Sequence, residues 1–204
     1  MAAALFVIDI QNDLAIDPET CVPHAERVTA AGEFILKTAR AYMETETGST
    51  KPPLASIVFV QHEEKPEDGP LVRGSEPWKL VFEPRAGESR ERLIHKTTRD
   101  TFASNPDLAA ELKAAGINHI IAFGIQSECC VESTCNGAID AGFGVTLLSG
   151  AHSTYDDGDK TAEDIEREVE DRLEKRGADV IDWTEAAFMW DKGHGIRPPA
   201  QQKR

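Results

Sequence analysis

No apolar run in this sequence approaches the roughly 18 to 20 residues needed to cross a bilayer, which argues against a membrane-spanning helix. The opening residues MAAALFVIDIQND stay apolar for only about eight positions and then turn acidic, without the basic region and small-residue cleavage site of a signal peptide. The expected setting is therefore soluble and cytoplasmic, with no membrane partner. Basic residues are scarce as well: 22 Lys and Arg stand against 36 Asp and Glu, a formal charge of -14. Such a surface gives little support to phosphate-backbone binding, so nucleic acid is not an expected partner. Four cysteines in 204 residues do not make a disulfide scaffold. No Gly-x-Gly-x-x-Gly cradle follows the first apolar run, which speaks against a dinucleotide-binding protein.

What is present is an alternation of buried strands and amphipathic helices. ALFVIDI (residues 4 to 10) and SIVFVQH (56 to 62) read as strands covered on both faces. Between them, PHAERVTAAGEFILKTARAYMET opens with Pro23 and places Val28, Phe34, Ile35 and Tyr42 at helical spacing. LIHK (93 to 96), HIIAFG (119 to 124), GVTLLS (144 to 149) and ADVIDW (178 to 183) continue the strands. Helices are expected over 105 to 116, about 129 to 141 and about 159 to 175. This rhythm predicts an α/β fold, a three-layer α/β/α sandwich around a mainly parallel sheet. One domain over residues 1 to 190 is expected, with 191 to 204, DKGHGIRPPAQQKR, as a flexible tail. Residues 63 to 92 carry four prolines and three glycines and read as a long irregular loop of the kind that serves a site or is disordered.

Ligands of such sheets meet the carboxyl ends of the strands. Those ends carry Asp9, His62, Lys96 and the start of GIQSECCVESTC. That last stretch holds three of the four cysteines. Adjacent Cys129 and Cys130 do not converge readily on a tetrahedral ion, and no Cys-x-x-Cys pair is present, so no metal is expected through the thiols. Cys135 falls on the apolar helix face with Val131, Ala138 and Ile139 and reads as a core residue. Cys129 and Cys130 lie in the first helical turn, where a thiol can be activated; spacing does not choose between them. Asp9 and Lys96 could equally form a plain structural ion pair.

Three motifs in order, VIDIQND, IHKTTRDTF and GIQSECCVESTCNGAIDAG, resemble the isochorismatase-like cysteine hydrolases over most of residues 4 to 155. The resemblance implies a catalytic triad of Asp9, Lys96 and Cys130. It also implies a cis peptide between Ile125 and Gln126, with backbone N–H groups of Gln126 and Cys130 facing an oxyanion. Cys129 then supports the turn, Glu128 replaces a more usual Asp, and Phe102 lines the pocket. Members resembling nicotinamidases carry an Asp-x-His and a further His after the second strand; here VQHEEKPEDG offers His62 alone, so no metal and no cofactor are expected. The retained cysteine favours carbon–nitrogen hydrolysis of a small amide, carbamoyl or ureido compound. A binding protein without turnover, a nicotinamidase and an isochorismate-type hydrolase are the alternatives. A small-molecule substrate and a homo-oligomer, dimer or tetramer, complete the expectation. Softer pocket candidates are Gln126, whose amide could read a ureido group, and Trp78 and Arg73 in the long loop, as aromatic wall and carboxylate clamp. His152 reads either as a pocket residue or as a hydrogen-bonded structural histidine, and Trp78 either as a wall or as a packed lid.

Overall fold

The computed structural model describes residues 2–45 and 54–191; the expected tail lies outside them from residue 192 onward. Six strands form one sheet: β1 (Ala2–Ile8), β2 (Leu54–His62), β3 (Glu91–Lys96), β4 (Ile117–Ile125), β5 (Gly144–Ser153) and β6 (Asp179–Asp182). Their order is β3-β2-β1-β4-β5-β6 and every pairing is parallel. Parallel neighbours need crossover connections, and those connections bring helices onto both faces. The helices are α1 (Asn12–Ala15), α2 (Ala25–Thr45), α3 (Thr101–Ser104), α4 (Leu108–Ala114), α5 (Glu132–Asp140), α6 (Ala162–Lys175) and α7 (Trp183–Asp191). None of the described helices is long and apolar enough to cross a membrane.

The unbroken apolar run of β1 follows from its central place. Ala3, Leu5 and Val7 pack with Val28, Ile35 and Ala39 of α2 on one face. Ala4, Phe6 and Ile8 meet Leu112, Ala138 and Val169, from α4, α5 and α6, on the other. Alternation along a strand sends each set to its own layer. Three short or terminal helices, α1, α3 and α7, have no counterpart in the sequence reading, since four residues are too few to show a period and α7 follows β6 without a break. The first strand also stops two residues sooner than its apolar run, because Asp9 turns into a left-handed conformation at φ 49.

The chain builds outward from β1 to β2 and β3, then crosses back to add β4, β5 and β6 on the other side. The crevice beyond the carboxyl ends of β1 and β4 is thus the point where strand order reverses, the usual ligand position in open α/β sheets. There the two backbones come close. Gly124 sits opposite Ile8 in the β1–β4 register at φ 142, and a Cβ at that position would lie 2.0 Å from the Ile8 carbonyl oxygen.

Two consequences can be measured. G124A should lose about 3 kcal/mol of stability in urea denaturation, from strain and overlap together. G74A, with positive φ but open space around it, should lose only about 1 kcal/mol. His119 on β4 is buried, with Nε2 2.8 Å from Thr146 Oγ1, and burial pulls its pKa down to about 4. The unfolded chain takes up that proton near pH 6.5 while the folded one resists, so stability is full above that pH and falls as pH drops toward 4. The His119 contribution is about 3 kcal/mol. H119Q should flatten the decline of unfolding free energy across this window relative to the native chain; parallel slopes would show that His119 does not drive it.

Candidate active site

Lys96 is the last residue of edge strand β3, two strands away from β1. Strands lie about 5 Å apart, so only a long side chain passing over the end of β2 can reach the end of β1. Lys96 does so, with Nζ 2.7 Å from Asp9 Oδ2, both side chains essentially fully buried. The same ammonium donates to Cys130 Sγ at 3.1 Å and to the Thr98 carbonyl at 3.2 Å, and lies 3.2 Å from His62 Nδ1. Its three N–H groups thus serve four acceptors. Burial alone would lower the Lys96 pKa, but the charges of Asp9 and Cys130 outweigh it and the net shift is upward. Burial, and then Lys96, push His62 down, so the ring is neutral at pH 7 and Nδ1 accepts from the ammonium.

The turn that carries Cys129 and Cys130 follows β4. The Ile125–Gln126 peptide is cis, and Ser127–Val131 forms a π-helical turn that leads into α5. Within it the N–H groups of Cys129 and Val131 both bond the Gln126 carbonyl, at 3.2 and 3.1 Å. A π turn is one residue wider than an α turn. Val131 drops into the core beneath while half-buried Cys130 is left at the Lys96 ammonium. Burial, and next the charge of Asp9, push the Cys130 thiol well above its ordinary range, with Lys96 opposing. The resting site is therefore a protonated thiol beside a carboxylate and an ammonium. Asp9 Oδ1 is buried with no hydrogen-bond partner among the described residues, which leaves it open to accept a proton. Cys135 is fully buried, its pKa raised to about 12 by burial, and packs in the core as its spacing predicts.

A cavity of about 290 Å³ opens over this cluster. Asp9, Cys130, Cys129, Ile125 and Gln126 line its floor; Asp13, Leu14, His62, Glu64, Pro70, Leu71, Arg99 and Tyr155 complete the walls. The other sequence candidates lie elsewhere. Phe102 stacks on Phe6 at 5.9 Å inside the core under the sheet, because the turn after Lys96 directs it downward into that layer. Trp78 stacks on His95 at 5.8 Å, while its carbonyl accepts from Gln11 Nε2 at 2.7 Å and Gln61 Nε2 at 2.9 Å; it clamps the long loop to the sheet end. Arg73 is exposed and spent on Glu63 at 2.7 Å. His152 is fully buried behind the turn, Nδ1 2.8 Å from Ser127 Oγ and Nε2 3.2 Å from Glu170 Oε1, the structural alternative. Of the wall residues the sequence reading missed, Asp13 and Arg99 sit inside the quoted motifs, and Tyr155 lies three residues beyond His152.

Asp9, His62 and Cys130 each offer a donor atom within 4.8 Å of the others, the one group of metal-ligating type among the described residues. Their shared focus is taken by the Lys96 ammonium, at 2.7, 3.2 and 3.1 Å. A cation held by all three would have to displace it, so these residues do not fit a metal.

Comparison with known proteins shows the family. Residues 3–185 match the isochorismatase domain model. A streptothricin hydrolase of Streptomyces noursei is 35% identical over 155 residues, covering 75% of this chain and 55% of that protein. A ureidoacrylate amidohydrolase of Caulobacter vibrioides is 36% identical over 90 residues, 43% of this chain and 38% of that one. This chain therefore spans about half the length, or less, of both relatives. The crystal structure of a cysteine hydrolase from Pseudomonas syringae pv. phaseolicola 1448A superposes with a TM-score of 0.76, covering 94% of this chain and 93% of that one at 18% identity, which shows the shared fold. With the domain match spanning nearly the whole sequence, the chain belongs to the isochorismatase family.

Proposed function

We propose that this protein is a cysteine hydrolase that cleaves a carbon–nitrogen bond of a small amide, carbamoyl or ureido compound through a thioester intermediate. The observation that carries the reading is the single buried ammonium of Lys96 held against both Asp9 and Cys130 Sγ, two residues that line the cavity. A purely structural ion pair has no need of a thiol and a pocket. The relatives named for streptothricin and ureidoacrylate hydrolysis point to the same bond type.

In the proposed sequence Cys130 sulfur attacks the carbonyl carbon while its proton passes to Asp9. The carbonyl electrons move onto oxygen, where backbone N–H groups of Gln126 and Cys130 receive the charge; one such donor is typically worth about 3 to 4 kcal/mol. Collapse breaks the carbon–nitrogen bond, and Asp9 returns the proton to the departing nitrogen. Water then attacks the thioester and gives a proton to Asp9; the carbon–sulfur bond breaks and the thiol is restored. Lys96 keeps a positive charge beside the carboxylate and the sulfur throughout, which lowers the cost of the transient thiolate.

The test is a screen of small amides, carbamates and ureido acids for release of ammonia or amine; no release from any of them would count against carbon–nitrogen hydrolysis. On a compound that reacts, C130A should lose at least about a thousandfold in turnover, whereas C129A and C135A should each stay within about tenfold of the native enzyme. Retained turnover in C130A with loss in C129A would transfer the role to the neighbouring thiol. Because Lys96 fills the focus of the donor cluster, dialysis against a strong chelator should leave the rate intact; loss restored by zinc, iron or manganese would show that a metal takes part.

A further inference from the structure

One lining residue is left over by this chemistry. Asp13 is only 8% exposed, its carboxylate makes no hydrogen bond and no ion pair among the described residues, and its oxygens are not among the fully enclosed unpartnered atoms: what exposure they have is to the cavity that Asp13 lines. Two neighbouring polar groups, Thr20 and Tyr155, are engaged elsewhere. The Asp13 backbone N–H donates to the Pro77 carbonyl and its own carbonyl accepts from Thr20 Oγ1 at 2.7 Å, which fixes the main chain and leaves the side chain unanswered. The Tyr155 hydroxyl donates to the Thr20 carbonyl, and burial, followed by the charge of Asp13, raises that phenol to about 12, so it stays protonated on its present acceptor. Lys96 is committed to Asp9.

A carboxylate that meets solvent only inside a cavity is a ready acceptor for a positive or hydrogen-bonding group of a bound ligand. The remaining wall charges do not take that place. Arg99 lies on the lining but is exposed, where water and salt screen it, and it forms no ion pair among the described residues. Glu64 adds a second carboxylate to the lining, its Oε2 held by the Leu71 N–H at 3.0 Å. Asp13 and Tyr155 line the same cavity, an anion and an aromatic residue together, a combination that suits an ammonium. At longer range the formal charge of -14 draws cations toward the surface.

We propose that Asp13 is the recognition residue for a protonated nitrogen, an ammonium or guanidinium, carried by the substrate at a distance from its scissile amide, so that the preferred substrates are cationic amides. This rests on the hydrolase reading given above for Cys130, and Asp13 itself takes no part in bond cleavage.

The probes are γ-aminobutyramide, its neutral isostere pentanamide and the anionic glutaramate, with ε-aminocaproamide and heptanamide as a longer pair. Native enzyme should favour the cationic member of the better-fitting pair in kcat/KM by at least about tenfold and discriminate against glutaramate. In D13N that cationic-to-neutral ratio should collapse to about one, with the loss carried mainly by KM, as expected where a contact serves ground state and transition state alike. Equal kcat/KM for cationic and neutral amides in the native enzyme, or an unchanged ratio in D13N, would overturn the assignment. The same probes titrated calorimetrically into C130A separate the two readings. Tighter binding of the cationic probe there, abolished by the added D13N change, supports the charge site even if none of the probes is turned over. Turnover without charge preference leaves the hydrolase reading standing and removes this one. Circular dichroism and melting of D13N distinguish a folded variant from a collapsed one, and if D13N does not fold, the native and C130A preferences decide alone.

Discussion

The placement of one lysine ammonium governs the site. Lys96 carries its charge off an edge strand, over the end of β2 and into a space where water does not screen it. Removing one partner of such a buried pair typically costs 3 to 5 kcal/mol, because the other charge is left uncompensated. Asp9, Cys130 and His62 therefore answer to Lys96 as much as to one another. Asp9 leaves the strand conformation just where its carboxylate can meet the ammonium. His62, in register with Lys96 across the β2–β3 ladder, stays neutral so that it can accept rather than repel.

Main-chain geometry does the rest. The crevice exists because strand order reverses between β1 and β4, and a glycine at position 124 lets those strands close up at the end that carries the site. The π turn that follows buries Val131 and leaves Cys130 beside the ammonium. The long loop reaches the same crevice through Glu64, Pro70 and Leu71, while its distal part is tied back by the Trp78 carbonyl to Gln11 and Gln61. Its irregular backbone is thus anchored by side-chain amides together with main-chain bonds to residues 10–13, such as Val81 N–H to the Ile10 carbonyl and Asn12 N–H to the Lys79 carbonyl.

The sheet and the larger helices were legible in the sequence because burial on both faces writes continuous apolar runs, as in β1, and burial on one face writes helical periodicity, as in α2. Phe34 is an exception: it fits the α2 stripe by spacing, yet it is 48% exposed and meets Trp183 edge to face at 6.0 Å. The floor of the site was legible because strand ends converge in this class of fold. The walls were not. Trp78, Arg73 and Phe102 have the residue types of pocket linings, but which way a loop side chain points depends on turns that carry no period. Asp13 and Arg99 were passed over because their types are common on surfaces; only burial in the one case and position in both distinguish them.

Behind the Cys130 turn, Ser127, His152 and Glu170 form a hydrogen-bonded string that runs from the sheet end to α6. Arg27 reinforces it from α2, reaching the carbonyls of Gly150 and His152 and both oxygens of Glu166. Helix α6 is thus more than a charged outer cover. Without it a fully buried imidazole would lose an acceptor, and the turn that presents Cys130 would lose its brace. The smallest stretch that can hold the thiol in place accordingly extends well past the last motif, through Lys175, and the cluster of residues 9, 96 and 130 draws its rigidity from a part of the chain that contributes no side chain to it.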